Sequence, residues 1–246
     1  MPGRGHRRGR RLGLWAVVPP LALFGIRNRP ADVGRHVDGI APDKNTDPDA
    51  PLTGWPLRRA LRTSIFWAVA ACLAASSMLT TGLNFHQVAL LGERGLSPAE
   101  AAANFLPQTA AALLATLAVG ALIDRLPPKV VLAAAMAILA CGVFSARLVT
   151  PGWAAVGYGI LLGTSGGLLR IVESATLPRY VGTAHLGAIR GTAHTVVIAA
   201  SAFGPLAVSL GHDLTGDYGP VLVALTAVPV LAALAVLLAR KPVAEG

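Results

Sequence analysis

Charge is scarce in this sequence. Only 13% of its 246 residues are Asp, Glu, Lys or Arg, about half the share of a soluble domain. Aromatic residues make up 5%, and no basic–aromatic surface pattern occurs. The formal net charge of +9 therefore does not point to nucleic acid. Cysteine is limited to Cys72 and Cys141, both inside apolar runs and without metal-ligand spacing. They read as small buried hydrophobes, and no metal is expected. H-E-x-x-H, a P-loop and a Cys/His cluster are all missing, so neither an enzyme nor a cofactor is expected.

Long apolar blocks fill the chain instead. The hydrophobic share is 54% and the mean hydropathy +0.60, with apolar residues gathered into runs near the roughly 17–25 residues that cross a bilayer as a helix. This predicts an all-α fold, a polytopic transmembrane helical bundle. The expected spans are 63–85, 99–123, 130–149, 152–171, 191–210 and 219–239. Residues 63–92 are too long for one straight span, and Asn84, His86 and Gln87 make their second half polar. An irregular outer end is expected there. Ser97-Pro98-Ala99-Glu100 reads as an N-cap, a first-position Pro and a capping-box Glu.

Before these six spans come a basic stretch with Arg4, Arg7, Arg8, Arg10 and Arg11, and a short apolar run at 12–26. Charge followed by a short apolar run imitates a signal peptide, but Pro19-Pro20 and the lack of a small-x-small cleavage site argue against one. The alternative is a partial helix. The domain reading is 1–26 basic N-terminus and partial span, 27–62 linker, 63–240 six-helix domain and 241–246 tail. The linker is rich in Pro and Asp and cannot bury a core. Trp55, Arg58, Arg59 and Arg62 form an amphipathic lead-in at its end.

Counting Lys and Arg in alternate links sets the orientation. One side holds Arg27, Arg29, Arg35, Lys44, Arg58, Arg59, Arg62, Arg125, Lys129, Arg179, Arg190, Arg240 and Lys241, and the other only Arg94 and Arg147. The linker, the Asp124 loop and the C-terminus are thus expected in the cytoplasm of a cell (plasma or inner) membrane protein. A spanning 12–26 segment would put the N-terminal arginines outside, so either it does not span or this start is not the natural start of the fold.

Between two uncharged runs stands Gly120-Ala121-Leu122-Ile123-Asp124-Arg125-Leu126-Pro127-Pro128-Lys129. It reads as the turn of a transmembrane hairpin. Its spacing G-x-x-x-D-R-x-x-x-K also resembles the loop signature of the major facilitator superfamily of transporters. Pro127 and Pro128 stand where the family pattern has Gly and a basic residue. Three further stretches resemble the superfamily's bacterial monocarboxylate/oxalate-like branch. They are Arg27-Asn28-Arg29-Pro30-Ala31-Asp32-Val33-Gly34, then Tyr180-Val181-Gly182 with His185-Leu186-Gly187-Ala188-Ile189-Arg190-Gly191, and Ala200-Ser201-Ala202-Phe203-Gly204-Pro205 with Gly211-His212-Asp213-Leu214-Thr215-Gly216-Asp217-Tyr218.

The resemblance implies helices seven to twelve of a twelve-helix transporter, with a remnant of helix six and no first half. It implies a small-molecule solute, a lipid bilayer, and a missing N-terminal half or a second copy as partners. A gating loop of Gly120, Asp124, Arg125 and Lys129 would latch the cytoplasmic side, with Asp124 against the N-terminus of a helix starting near Gly191. The branch's cationic substrate residues do not carry over, because 101–123 and 191–210 contain none. The alternative is a non-transporting membrane protein acting by helix association, or a decayed fragment.

Polar residues inside apolar runs are the candidates for a substrate or proton path: Asn84, His86, Gln87, Gln108, Arg170, Glu173 and His194. Each also reads as a satisfied packing residue. Arg170 and Glu173, three apart, share a helix face. Gly204 and Pro205 form a hinge or a structural kink, since Pro removes a backbone bond. Gly159-Ile160-Leu161-Leu162-Gly163-Thr164-Ser165-Gly166-Gly167 contains glycines four apart, which let another backbone approach closely.

Topology yields a direct test. A cysteine introduced at Thr46 or Pro127 should react with an impermeant thiol reagent only from the cytoplasm, and one at Thr215 only from outside. Labelling of Pro127 and Thr215 from the same side would refute the arrangement.

Overall fold

The computed structural model describes residues 54–122 and 125–239. The 1–26 segment, Asp124, the tail and most of the linker lie outside them. Among the described residues the fold is all-α, with no strand. The helices are α1 (Leu57–Ala60), α2 (Ser64–Glu93), α3 (Pro98–Ala103), α4 (Phe105–Leu122), α5 (Pro128–Ser145), α6 (Trp153–Val181), α7 (Leu186–Thr215) and α8 (Tyr218–Leu238). α3 and α4 together make one span, Pro98–Gly120, and six segments are long and apolar enough to cross a membrane. The protein is a multi-pass helical bundle.

The chain runs up and down between two ends. One end, called here the linker end, carries Gly54, Arg125, Lys129 and Arg190. The far end carries Arg94, Arg147 and Asp217. Local signals start two of the helices. Thr63 accepts from the Phe66 amide at 3.4 Å to cap α2. Ser97 and Glu100 form the expected capping box for α3, which satisfies two helix-start amides.

Three helices are longer than expected. α2 continues as α-helix past Phe85 to Glu93, so the irregular outer end does not exist. α6 continues to Val181, and α7 begins at Leu186 rather than near Gly191. The reason is tertiary. Polar side chains in these stretches find partners on neighbouring helices, so the backbone need not break to hydrate them. α7 also stays helical through Pro205. The end of the linker segment is fastened as well: the Trp55 amide donates to Val181 O at 2.8 Å, and Gly54 bridges Gly182.

The helices pack in a regular scheme. α2 lies on α7, α4 on α6, and α5 on α8; α5 also packs on α6, and α8 on α2. Exchanging the first three spans (α2, α3–α4, α5) with the last three (α6, α7, α8) maps α2–α7 onto α4–α6 and α5–α6 onto α2–α8, and leaves α5–α8 unchanged; α7 packs on α8 as well. The spans exchanged run in opposite directions, so the two triplets form an inverted repeat.

The α4–α6 and α2–α7 pairs use the same device. On α6, a Cβ at Gly159, Gly163 or Gly167 would strike the α3–α4 span at Asn104, Gln108 and Ala112 respectively. The residues advance by four on both helices, as parallel helices in register require. On the other pair, a Cβ at Gly82 would lie 2.7 Å from Gly204 O, and one at Gly204 would strike Met78 O. The glycine-spaced run on α6 is therefore a packing seam. Gly157 and Gly166 face open space.

Gly163→Ala and Gly204→Ala should each destabilise the bundle by roughly 1–3 kcal/mol, the usual cost of overpacking. Gly166→Ala should be neutral, or stabilising by up to about 1 kcal/mol through helix propensity. Unfolding in detergent would measure both, and equal effects at the three positions would exclude the seam.

Candidate functional site

The candidate path residues do not form one cluster. They separate into two groups, joined by α7. Pro205 in one group and His194 in the other are 11 residues apart on that helix, about 16 Å at 1.5 Å per residue.

The first group lies in the far half of the bundle. Gln108 on α4 donates through Nε2 to Asn84 Oδ1 on α2 at 3.2 Å, which joins the two glycine-packed pairs. Gln108 Oε1 is buried without a donor. Gln87 is fully buried and gives Nε2 to Ala101 O at 3.0 Å, so it acts as a brace for α3. His86 Nε2 stands 3.1 Å from Pro205 O, and its Nδ1 stands 3.4 Å from the Tyr218 hydroxyl. A carbonyl only accepts, so Nε2 carries the hydrogen. In the neutral ring Nδ1 is then the acceptor for Tyr218.

This arrangement changes the meaning of the Gly204–Pro205 hinge. Pro205 has no N–H for the carbonyl of Ser201, four residues earlier, and so weakens α7 there. Yet Gly204 is seated on α2 and the Pro205 carbonyl is held by His86. The weak point of α7 and the candidate histidine on α2 are thus one structural unit.

Beyond His86 lies a network whose roles were not read from the sequence. His212 Nε2 is 2.8 Å from Glu93 Oε1, Glu93 Oε2 accepts from the Tyr218 amide at 3.4 Å, and the His212 and Tyr218 rings lie 4.3 Å apart. Arg94 Nη2 donates to Asp217 Oδ1 at 2.9 Å. These contacts tie the far ends of α2, α7 and α8 together. The run Gly211 to Tyr218 stood out in the sequence, but nothing there assigned partners, since Glu93 and Arg94 are more than 100 residues away.

The second group lies towards the linker end. Arg170, Glu173 and Ser174 of α6 and Arg190, Gly191 and His194 of α7 line a cleft of about 420 Å³. Glu173 pairs with His194 at 3.2 Å rather than with Arg170. Sharing a helix face did not make Arg170 and Glu173 a pair. Arg190 Nη2 donates to Ser174 O at 2.7 Å.

The gating-loop residues also part company. Asp124 lies outside the described residues, and the helix it was expected to face begins at Leu186 with His185 as its cap residue. Gly120 sits in the last turns of α4. A Cβ there would meet only Ile171 Cδ1, at 3.9 Å, so no close approach requires a glycine. Arg125 is exposed. Lys129 Nζ donates to Ala239 O. That carbonyl belongs to the C-cap of α8, where a cation is favoured by the helix dipole.

No family model matches the chain, and no curated protein is similar to it.

The far-end contacts carry a pH signature. The Gly219 amide, and then the Arg94 guanidinium, hold the Asp217 carboxyl below the ordinary carboxylate range. A depressed folded-state pKa contributes stability at neutral pH that is lost as pH falls through it, here below about 4. Asp217→Asn should therefore flatten the acid limb of the melting-midpoint profile. An unaltered acid limb would show that Asp217 contributes nothing to closing this end.

Proposed function

We propose that this chain is one six-helix half of a secondary transporter of the major facilitator type, moving a small solute by alternating access. The observation that carries the reading is the inverted repeat of three spans plus three, with matching glycine contacts in its α4–α6 and α2–α7 pairs. Such repeats within each six-helix half are how these transporters build a site near the bilayer midplane. The polar groups on the two pairs support it. Asn84, Gln108 and His86 sit inside spans, where polar residues are costly and mark pathways. The resemblance to the monocarboxylate/oxalate-like branch belongs to the same proposal. So do placement in the cell membrane and an orientation with the linker and C-terminus in the cytoplasm.

A complete path needs a second six-helix unit. Burial is uneven in a way that fits this: the most apolar windows of the α3–α4 span and of α7 are 11% and 17% buried within the bundle, against 56% for α2 and α6. The same uncovered faces suit the competing reading, a membrane protein that works by helix association alone. Transport measurements separate the two.

Purified chain alone in liposomes should show no saturable counterflow of labelled monocarboxylates, dicarboxylates, sugars or amino acids. Co-reconstitution with the six-helix N-terminal half of a transporter of this branch should produce saturable flux. Asp124→Asn should cut that flux severalfold while leaving membrane insertion intact. Absence of flux with every partner half would favour the association reading. Saturable uptake by the lone chain, abolished by His86→Ala, would instead establish a working homodimer.

A further inference from the structure

We propose that the α6–α7 cleft is a binding site for a phosphate-type monoanion. The cleft is walled by Arg170, Glu173 and Ser174 from one helix and by Arg190, Gly191 and His194 from the next. Among the described residues its charge does not balance. Two guanidiniums face one carboxylate, and that carboxylate is already engaged by His194 at 3.2 Å. Among the described residues Arg170 has no acceptor at all. Arg190 gives Nη2 to Ser174 O, while its Nε is buried without an acceptor.

An unneutralised guanidinium on a spanning helix is expensive, and such groups are retained where a partner meets them. Here the partner must come from outside the described residues. Depth selects its chemistry. The α6 span ends at Pro178, eight residues after Arg170, or about 12 Å along the axis. The span's 26 residues measure about 39 Å and exceed the roughly 30 Å hydrocarbon core. Arg170 is thus within snorkelling reach of the headgroup layer, and Arg190, only four residues into α7, is closer to it. The anion abundant at that depth is phosphate. Guanidinium matches it through paired N–H donors, better than a point charge does.

Two sources supply this chemistry: the headgroup of an anionic phospholipid, and a soluble phosphate. The placement at the cytoplasmic leaflet, where anionic lipid concentrates, rests on the orientation proposed above. The binding itself does not. The cleft is also distinct from the His86 group, about 16 Å away along α7, so it adds a site rather than renaming the path.

The test uses the full chain in nanodiscs, at constant ionic strength set with chloride. Melting midpoints are compared in phosphatidylcholine, in phosphatidylcholine with increasing phosphatidylglycerol, and in phosphatidylcholine with added inorganic phosphate. A midpoint that rises by a few degrees supports the site, since a ligand that prefers the folded state stabilises it. A rise with phosphatidylglycerol alone identifies the lipid as the source; a rise with inorganic phosphate as well identifies a soluble anion. Arg170→Gln should abolish the rise, and it removes no hydrogen bond that could unfold the bundle. Arg170→Lys should keep part of it, and Arg147→Gln, at the far end, all of it. No rise in either arm, or an equal rise in Arg170→Gln, would overturn the proposal. Because no flux is measured, a chain that binds phosphate without transporting leaves the site standing, and one that transports without this response eliminates it.

Discussion

The contact between α6 and α4 at Gly159, Gly163 and Gly167 is the constraint on which the bundle depends. In a bilayer, burying one apolar helix face against another gains little, because lipid tails are as apolar as leucine. Helices must gain from close packing instead. Glycines at four-residue spacing let the α3–α4 backbone at Asn104, Gln108 and Ala112 lie directly on α6. The same solution recurs where Gly82 meets Gly204. The polar group around Asn84, Gln108 and His86 is then placed by these two seams. Gln108 is a contact residue of one seam, Pro205 adjoins the other, and the Gln108–Asn84 bond connects them.

Helix existence was legible in the sequence, and helix ends were not. Length and apolar content are enough for a span, because every spanning backbone must satisfy its own hydrogen bonds. The ends failed at polar residues. Asn84, His86 and Gln87 read as the place where α2 gives way, yet α2 runs on to Glu93 because their partners are Gln108, Pro205, Tyr218 and Ala101 on other segments. Only folding brings those together. Glycine spacing, by contrast, transferred directly to three dimensions, because a packing seam is written in one helix's own periodicity.

The candidate site was legible as a set of residue types and not as a set of pairs. Arg170 and Glu173 share a face by their spacing, but Glu173 is nearer to His194 across the cleft. Lys129 belongs to the loop signature, and in the fold its ammonium serves the C-terminus of α8. Glu93, Arg94 and His212 lie in loops and helix ends, and spacing gave no sign of their pairing, although they join three helices at the far end. Local spacing specifies neighbours on one helix, whereas partner choice between helices depends on rotation and depth.

The short staple of Gly54 and Trp55 onto Gly182 and Val181 has a mechanical consequence. It lies ahead of α1 and α2, so the polypeptide enters the bundle through a fixed anchor beside the α6–α7 turn. The one-turn α1, the cation–π stack of Arg59 on Trp55 at 4.6 Å and the Thr63 cap follow from that anchor. A pull on the preceding chain is borne by the Trp55–Val181 bond before it reaches α2. For protein engineering, Gly54 marks the first residue that has to be kept for this anchor to form, because even a Cβ there would meet the backbone of Val181 and Ala184 at about 3 Å.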